Sequence, residues 1–205
     1  MTLYLGLTGG IATGKSTASE YFRTQGVPVV DTDKIAHELM EPGQASYKAI
    51  VNEFGSKILN EDKTINRKKL GEIVFNNPSR LNLLNDLTHP LIRKETFRQM
   101  KECQQNGSSL CVVDVPLLFE SNWNKYVDKT LVIYTTPELE LKHLMERDGL
   151  SYREAIKRIN SQLPLKEKVK KADYTIENTA TIDKLEKQLS ELLQTLRKGE
   201  RNGMS

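Results

Sequence analysis

Nine consecutive residues near the start of the chain, Gly9-Gly10-Ile11-Ala12-Thr13-Gly14-Lys15-Ser16-Thr17, carry the clearest chemistry in the sequence. Gly9 to Ser16 follow G-x-x-x-x-G-K-[ST], the spacing of a phosphate-binding loop. Glycines let the backbone turn tightly, so that successive N–H groups face one hollow. The positive end of a following helix adds to that attraction for anions. Lys15 is expected to reach the β- and γ-phosphates, Ser16 to offer its hydroxyl to Mg²⁺, and Thr17 to add a hydroxyl to a phosphate. The ligand expected is therefore ATP with Mg²⁺. The loop specifies a nucleoside triphosphate; it does not by itself specify a kinase.

Two further sets of acids end apolar runs. The first is Val29-Val30-Asp31-Thr32-Asp33. Beyond the carboxyl ends of parallel strands these carboxylates would lie near a transferring phosphoryl group. One can take a proton from an acceptor hydroxyl, while the other binds a metal-bound water or caps the next helix; both can equally be caps. The second is Cys111-Val112-Val113-Asp114, where Asp114 is expected to hold or orient Mg²⁺ beside Ser16. Pro116, Leu117 and Phe119 follow and are expected to form an apolar wall by the site. Farther on, Glu138–Lys171 concentrates bases, among them Arg147, Arg153, Arg158 and Lys168. That segment reads as a helical lid closing over phosphates and excluding water. The acids mixed into it, Glu140 and Asp148 included, also suit a solvated helix face.

Positioning these groups requires a scaffold. Short apolar runs at Leu3–Leu7, Val27–Val30, Leu110–Val113, Leu131–Tyr134 and Tyr174–Ile176 read as buried strands. Helical patterns between several of them imply an α/β fold with a five-stranded parallel sheet and helices on both faces. A strand precedes the glycine loop, and a helix from Lys15 to about Gln25 follows it, which is the confirming context. About eighty residues separate Asp31 from Leu110 without a convincing strand, whereas a crossover needs only about a dozen. The excess contains helical candidates at Lys34–Met40, Ser46–Phe54, Arg67–Phe75, Ser79–Leu87 and Pro90–Gln105. The expected organisation is a core of 1–33 and 108–205, with a lid at about 138–171, and a helical substrate-binding insert at 34–107. A long decorated crossover is the plainer alternative for that insert. Ile182, Leu185, Leu189, Leu192, Leu193 and Leu196 form one stripe of a last helix, and the polar Arg197–Ser205 is expected to fray.

Composition narrows the class. The 205 residues carry a formal net charge of +3, too small an excess to argue for nucleic acid. Cys103 and Cys111 form no CxxC pair, and the histidines stand apart, so a zinc site is not expected. The N-terminal residues lack a basic leader, and no apolar run approaches the ~18 residues of a membrane span. A cytoplasmic enzyme acting on small molecules is expected, as a monomer or small homo-oligomer, without nucleic-acid or membrane partners.

Several stretches together resemble the dephospho-CoA kinase family, which completes coenzyme A biosynthesis. They are Leu7-Thr8-Gly9-Gly10-Ile11 leading into Gly14-Lys15-Ser16-Thr17, Asp31-Thr32-Asp33, His89-Pro90-Leu91-Ile92-Arg93, Asp114 to Glu120, Arg147-Asp148, and Ala172 to Asn178. The phosphate loop is shared by many families; the set in this order is specific. The resemblance implies a P-loop NTPase-like core with a helical CoA-binding domain and a lid. It implies transfer of the γ-phosphate of ATP to the ribose 3′-hydroxyl of dephospho-CoA, giving CoA and ADP. It further implies that Asp33 is the catalytic base, that His89 and Arg93 lie on the substrate side, and that Arg147 is a lid arginine directed at the phosphates. Read on its own residues, His89 is a helix-start residue packed by Pro90. The family usually has glycine and serine where Ala12 and Thr13 stand, so Ala12 is expected to avoid positive φ.

Two rival readings differ in what they demand. Another P-loop kinase, acting on a nucleoside or its monophosphate, needs a pocket that selects a base. A nucleotide-dependent switch needs a partner and no acceptor; the paired acids after the second strand argue against it.

Overall fold

The computed structural model describes residues 2–202, with side chains for residues 2–198. The chain divides into two compact units, Met1–Val30 with Met100–Ser205, and Asp31–Gln99.

The first unit is built on a five-stranded sheet. Its strands are β1 (Leu3–Gly9), β2 (Val29–Asp31, whose last residue opens the second unit), β3 (Leu110–Asp114), β4 (Lys129–Tyr134) and β5 (Tyr174–Glu177), in the order β2-β3-β1-β4-β5. β1 is central and pairs in parallel with both β3 and β4, Leu7 standing opposite Asp114 on one side and Leu131 on the other. The chain moves outward from β1 to β2, returns through β3, and crosses to β4. That places the end of β1 at the topological switch point, where open α/β sheets bind ligands.

Alternation along the strands sorts the two faces. Leu5, Leu7, Leu110, Val112, Leu131, Ile133 and Ile176 turn one way, onto Ala18 and Phe22 of α1 (Lys15–Thr24) and the leucine stripe of the last helix. The other face is covered by residues such as Leu118 and Val127, which press on the bare Gly6, and by the end of a long helix whose Met100 carbonyl accepts from Tyr4 Oη. Helices therefore lie on both faces, as expected for a parallel sheet. Cys103 and Cys111 are both buried free thiols, and desolvation raises the Cys111 pKa above the usual thiol range.

The second unit contains α2 (Thr32–Leu39), α3 (Ala45–Phe54), α4 (Arg67–Phe75) and most of α5 (Pro78–Gln105). Ile50, Phe54, Ile58, Leu70 and Val74 form its own core, with Leu81, Leu84 and Leu87 of α5 packed on it. Here the structure corrects the sequence reading. The two helices expected on either side of His89-Pro90 are one helix, with Pro90 inside it. A proline in a helix interior forfeits a hydrogen bond and costs about 3 kcal/mol. Burial on both sides outweighs that cost: Leu81 to Leu87 pack before the proline, and Met100 and Cys103 are buried after it. His89 is thus a mid-helix residue, not a helix start.

After β4 come α6 (Pro137–Asp148), α7 (Tyr152–Ile159) and α8 (Leu165–Lys171), and after β5 the last helix, α9 (Ile182–Asn202). Thr136 caps α6, and Ser151 with Glu154 forms a capping box on α7. α9 continues through Arg197 to Asn202, where fraying was expected; the rest of that segment, residues 203–205, lies outside the described residues. No described helix is long and apolar enough to cross a membrane.

Candidate active site

The loop between β1 and α1 has a defined backbone. Gly14 stands before α1 with φ 96°, and Ala12 has φ 57°. The second value overturns the expectation for Ala12. Its methyl tolerates the left-handed region at a cost of about 1–2 kcal/mol, because neighbouring groups hold the loop. Thr13 Oγ1 donates within reach of two carbonyls, Gly10 O at 3.1 Å and Ile133 O at 2.9 Å. Asn178 Nδ2, from the residue after β5, donates to Thr13 O at 3.0 Å. Lys168 Nζ donates to Gly9 O at 3.1 Å. The Ile11 N–H favours the charged form of the Glu140 carboxyl. A side chain on Gly14 would run into the Asn178 amide, and one on Gly10 would meet Glu140 and the Thr13 methyl. A side chain on Gly9 would come within 2.6 Å of the Ile133 carbonyl.

Lys15, Ser16 and Thr17 open α1, whose first turn carries no acid. A lysine there opposes the helix dipole, an arrangement suited to an anionic ligand. Its ammonium is placed by β3: Lys15 Nζ lies 2.5 Å from Asp114 Oδ1, and Ser19, one turn on, donates to Asp114 Oδ2. Asp114 is only 2% exposed. Pro116 is tied to the end of β1 through its carbonyl, which accepts from Thr8 Oγ1 at 2.9 Å. Of the expected apolar wall, Leu117 is exposed, Pro116 half-buried and Phe119 buried.

Whether these residues suit Mg²⁺ turns on donor chemistry. Magnesium takes hard oxygen donors and is commonly held by one or two protein groups plus substrate phosphates and water. Ser16, exposed at the first turn of α1, and the Asp114 carboxylate are donors of that type. Asp114 already accepts from Lys15 and Ser19, yet a carboxylate offers about four lone-pair sites. The residues fit.

The segment expected as a lid contains both exposed and buried charge. At the end of α6, Arg147 donates to Asp148 through Nε at 2.8 Å and Nη2 at 3.2 Å. Arg158 Nη1 of α7 reaches the same carboxylate at 2.5 Å. Arg147, with Arg158 adding, holds the Asp148 carboxyl below its usual range. Glu140 and Lys168 do not belong to a solvated face: they are 6% and 0% exposed. Burial raises the Glu140 pKa, with the Ile11 N–H and Lys168 acting in the opposite direction.

The remaining expected residues belong to the second unit. Asp31 is the cap of α2, accepting from the Asp33 and Lys34 N–H groups at 3.0 Å each. That leaves Asp33, exposed in the first turn, as the other carboxylate of the pair. One turn later His37 Nε2 meets Arg67 Nη1 at 2.9 Å. His89 and Arg93, four apart on α5, share one exposed face.

Sequence reasoning missed four groups that brace the loop or its lysine: Ser19, Glu140, Lys168 and Asn178. Ser19 left a signal by standing one helical turn from Lys15, and Asn178 by closing the last stretch that carries the family resemblance.

The family model described as dephospho-CoA kinase matches residues 3–184. The chain is similar to a dephospho-CoA kinase of Lactobacillus johnsonii, 53% identical and covering 96% of this chain and 99% of that protein. A dephospho-CoA kinase of Bacillus cereus is 45% identical over 95% of this chain and 97% of its own length. Among solved structures, dephospho-CoA kinase from Campylobacter jejuni superposes with a TM-score of 0.75 at 37% identity, covering 98% of this chain and 100% of that one. A shikimate kinase from Bacteroides thetaiotaomicron, at 17% identity, TM-score 0.52, and coverage of 94% and 98%, shares the fold alone. With a glycine loop opening a helix at the switch point of a parallel sheet, and relatives spanning nearly its whole length, the chain belongs to the dephospho-CoA kinase family.

Proposed function

We propose that the chain transfers the γ-phosphoryl group of ATP to the ribose 3′-hydroxyl of dephospho-CoA, giving CoA and ADP, the final step of coenzyme A synthesis. The observation that carries this reading is the loop from Gly9 to Thr17. Its left-handed turns at Ala12 and Gly14 lead into a helix N-terminus with Lys15 fixed by Asp114. Family membership supplies the acceptor.

In this reading the loop amides and Lys15 bind the β- and γ-phosphates. Asp33 accepts a hydrogen bond from the 3′-hydroxyl and takes its proton late. The acceptor O–P bond forms as the bond from the γ-phosphorus to the bridging oxygen breaks, and ADP leaves with that electron pair. The transition state is loose, so positioning and charge supply most of the rate, and the base about 10²–10⁴-fold. Ser16 and Asp114 would hold Mg²⁺, which neutralises phosphate charge when bound. Arg147 belongs to a lid of α6 to α8, and its guanidinium, held by Asp148 here, turns to the phosphates when nucleotide binds. The helices of Asp31–Gln99 take the CoA moiety, with His89 and Arg93 on the substrate side, and Pro116, Leu117 and Phe119 contribute apolar contact. The chain acts as a soluble small-molecule kinase in the cytoplasm.

Incubation with ATP, Mg²⁺ and dephospho-CoA, followed by mass detection, tests the reading directly. CoA and ADP in equal amounts are expected. Phosphorylation of a nucleoside monophosphate with dephospho-CoA left unchanged would overturn it.

A further inference from the structure

Lys168 is a charged residue with no contact to water. It is 0% exposed, and the reaction as proposed makes no use of it. An ammonium has three donors; here Gly9 O at 3.1 Å and Gln162 Oε1 at 3.2 Å accept from two of them, and Glu120 Oε1 lies 3.0 Å away as the ion-pair partner. The acceptors come from different parts of the first unit. Gly9 ends β1 and begins the phosphate loop, Glu120 follows β3, and Gln162 stands just before α8. Glu120 is itself fixed, accepting from the Leu163 N–H at 3.0 Å.

A buried ammonium is expensive unless fully paired. As a fold-stabilising device it is a poor choice, because apolar residues of similar volume commonly serve as well. Its position suggests a different use. A trans peptide sets its C=O and the next N–H in opposite directions. Holding the Gly9 carbonyl therefore orients the Gly9–Gly10 peptide from behind. Glu140 of α6 also sits against this half of the loop, its carboxylate filling the space where a side chain on Gly10 would begin. The first half of the loop is thus gripped by α6 and α8, the helices on either side of α7. The second half, from Ala12 to Ser16, carries the amides and the lysine expected to meet phosphate.

We propose that Lys168 is a positioning residue for nucleotide binding, acting through the Gly9 carbonyl to hold the phosphate loop in its anion-binding shape and to tie that shape to α8. The inference rests on the loop being the triphosphate site. It makes a distinction that a purely structural lysine would not: nucleotide affinity depends on it, and acceptor affinity does not.

Steady-state kinetics on the full chain, with ATP and dephospho-CoA each varied, reads that distinction. Lys168→Met keeps the stem and removes the charge. It is expected to raise the KM for ATP about tenfold and to leave the KM for dephospho-CoA within about twofold. Calorimetric titration with ADP should weaken in parallel. Unchanged ADP affinity in a folded variant, or equal rises in both KM values, would overturn the role. Should Lys168→Met fail to fold, Lys168→Gln replaces it. Its shorter amide cannot span Gly9 and Glu120 together, so the same split is expected and its absence is equally fatal. A wild-type chain that binds no ADP sinks the phosphate-loop reading and this one with it. A wild-type chain that binds, alongside Lys168 variants that bind equally well, sinks this one alone.

Discussion

Lys15 Nζ and Asp114 Oδ1 stand 2.5 Å apart, joining the first residue of α1 to the last residue of β3. The pair fixes the direction of a long, flexible side chain at the end of the central strand's neighbour. Ser19 holds the other carboxylate oxygen, so the geometry of the lysine is set by the sheet and by its own helix.

Asp114→Asn keeps the shape and removes the charge that orients Lys15. We expect turnover to fall at least about tenfold, with thermal stability changing little because Ser19 still has an oxygen to meet. Lys15→Ala should weaken both ADP binding and turnover. Single-turnover kinetics with calorimetry checks both, and wild-type rates in either variant would contradict the phosphate role.

Asp33→Asn separates binding from chemistry. ADP affinity is expected to stay within about twofold, while turnover drops by about 10²–10⁴-fold, the range of positioned base catalysis. Near-normal turnover would remove Asp33 from the mechanism.

Ala12 and Gly14 both have positive φ, 57° and 96°, and their substitutions should diverge. Ala12→Gly relieves strain and adds unfolded-chain entropy, so the net change is expected within about 1 kcal/mol of zero. Gly14→Ala introduces strain and also drives a methyl into Asn178; it should abolish measurable nucleotide binding. Thermal melts with and without ADP distinguish the two.

Asp173 couples stability to pH. Its oxygens accept from the Thr130 N–H at 2.9 Å and Thr130 Oγ1 at 2.8 Å, and lie 3.2 Å from Lys129 Nζ. Desolvation pushes its pKa up, but the Thr130 and Lys129 bonds outweigh it and the net shift is downward. A folded pKa below the unfolded one means that stability is present above the unfolded value, about 3.9, and is lost as pH falls through the folded value. The exposed Lys129 pair is screened and adds little. Asp173→Asn should therefore cost about 1 kcal/mol at pH 7 and progressively less below about pH 4. Urea titrations at both pH values check the sign; an equal loss at each would contradict it.

Much of this molecule is readable because its signals are local. Each strand is an apolar run bounded by glycine, proline or a polar residue, and the glycine loop announces itself by spacing. The failures arise where packing overrides local rules. Pro90 reads as a helix boundary, but leucines on one side and Met100 with Cys103 on the other hold α5 through it. Ala12 reads as excluding positive φ, but Thr13, Asn178, Glu140 and Lys168 brace the loop around it. The same braces were invisible for another reason. In a mixed run of acids and bases nothing in the local sequence says which lysine is fully enclosed. Asn178 closes a stretch that carries the family resemblance, but only the point where β5 ends brings its amide to the loop.

Thr13 has a bearing on how this loop can change. Its methyl lies 2.8 Å from where a side chain on Gly10 would begin, and the other obstacle there is the flexible tip of Glu140. At Gly9 the obstacles are Thr13 Oγ1 and the Ile133 main chain, and no side-chain replacement moves the second. Position 10 is therefore conditionally mutable, its tolerance depending on what occupies 13 and 140, whereas position 9 is closed in every background. Scanning one residue at a time would score the two glycines alike; only paired substitutions would reveal the epistasis that separates them.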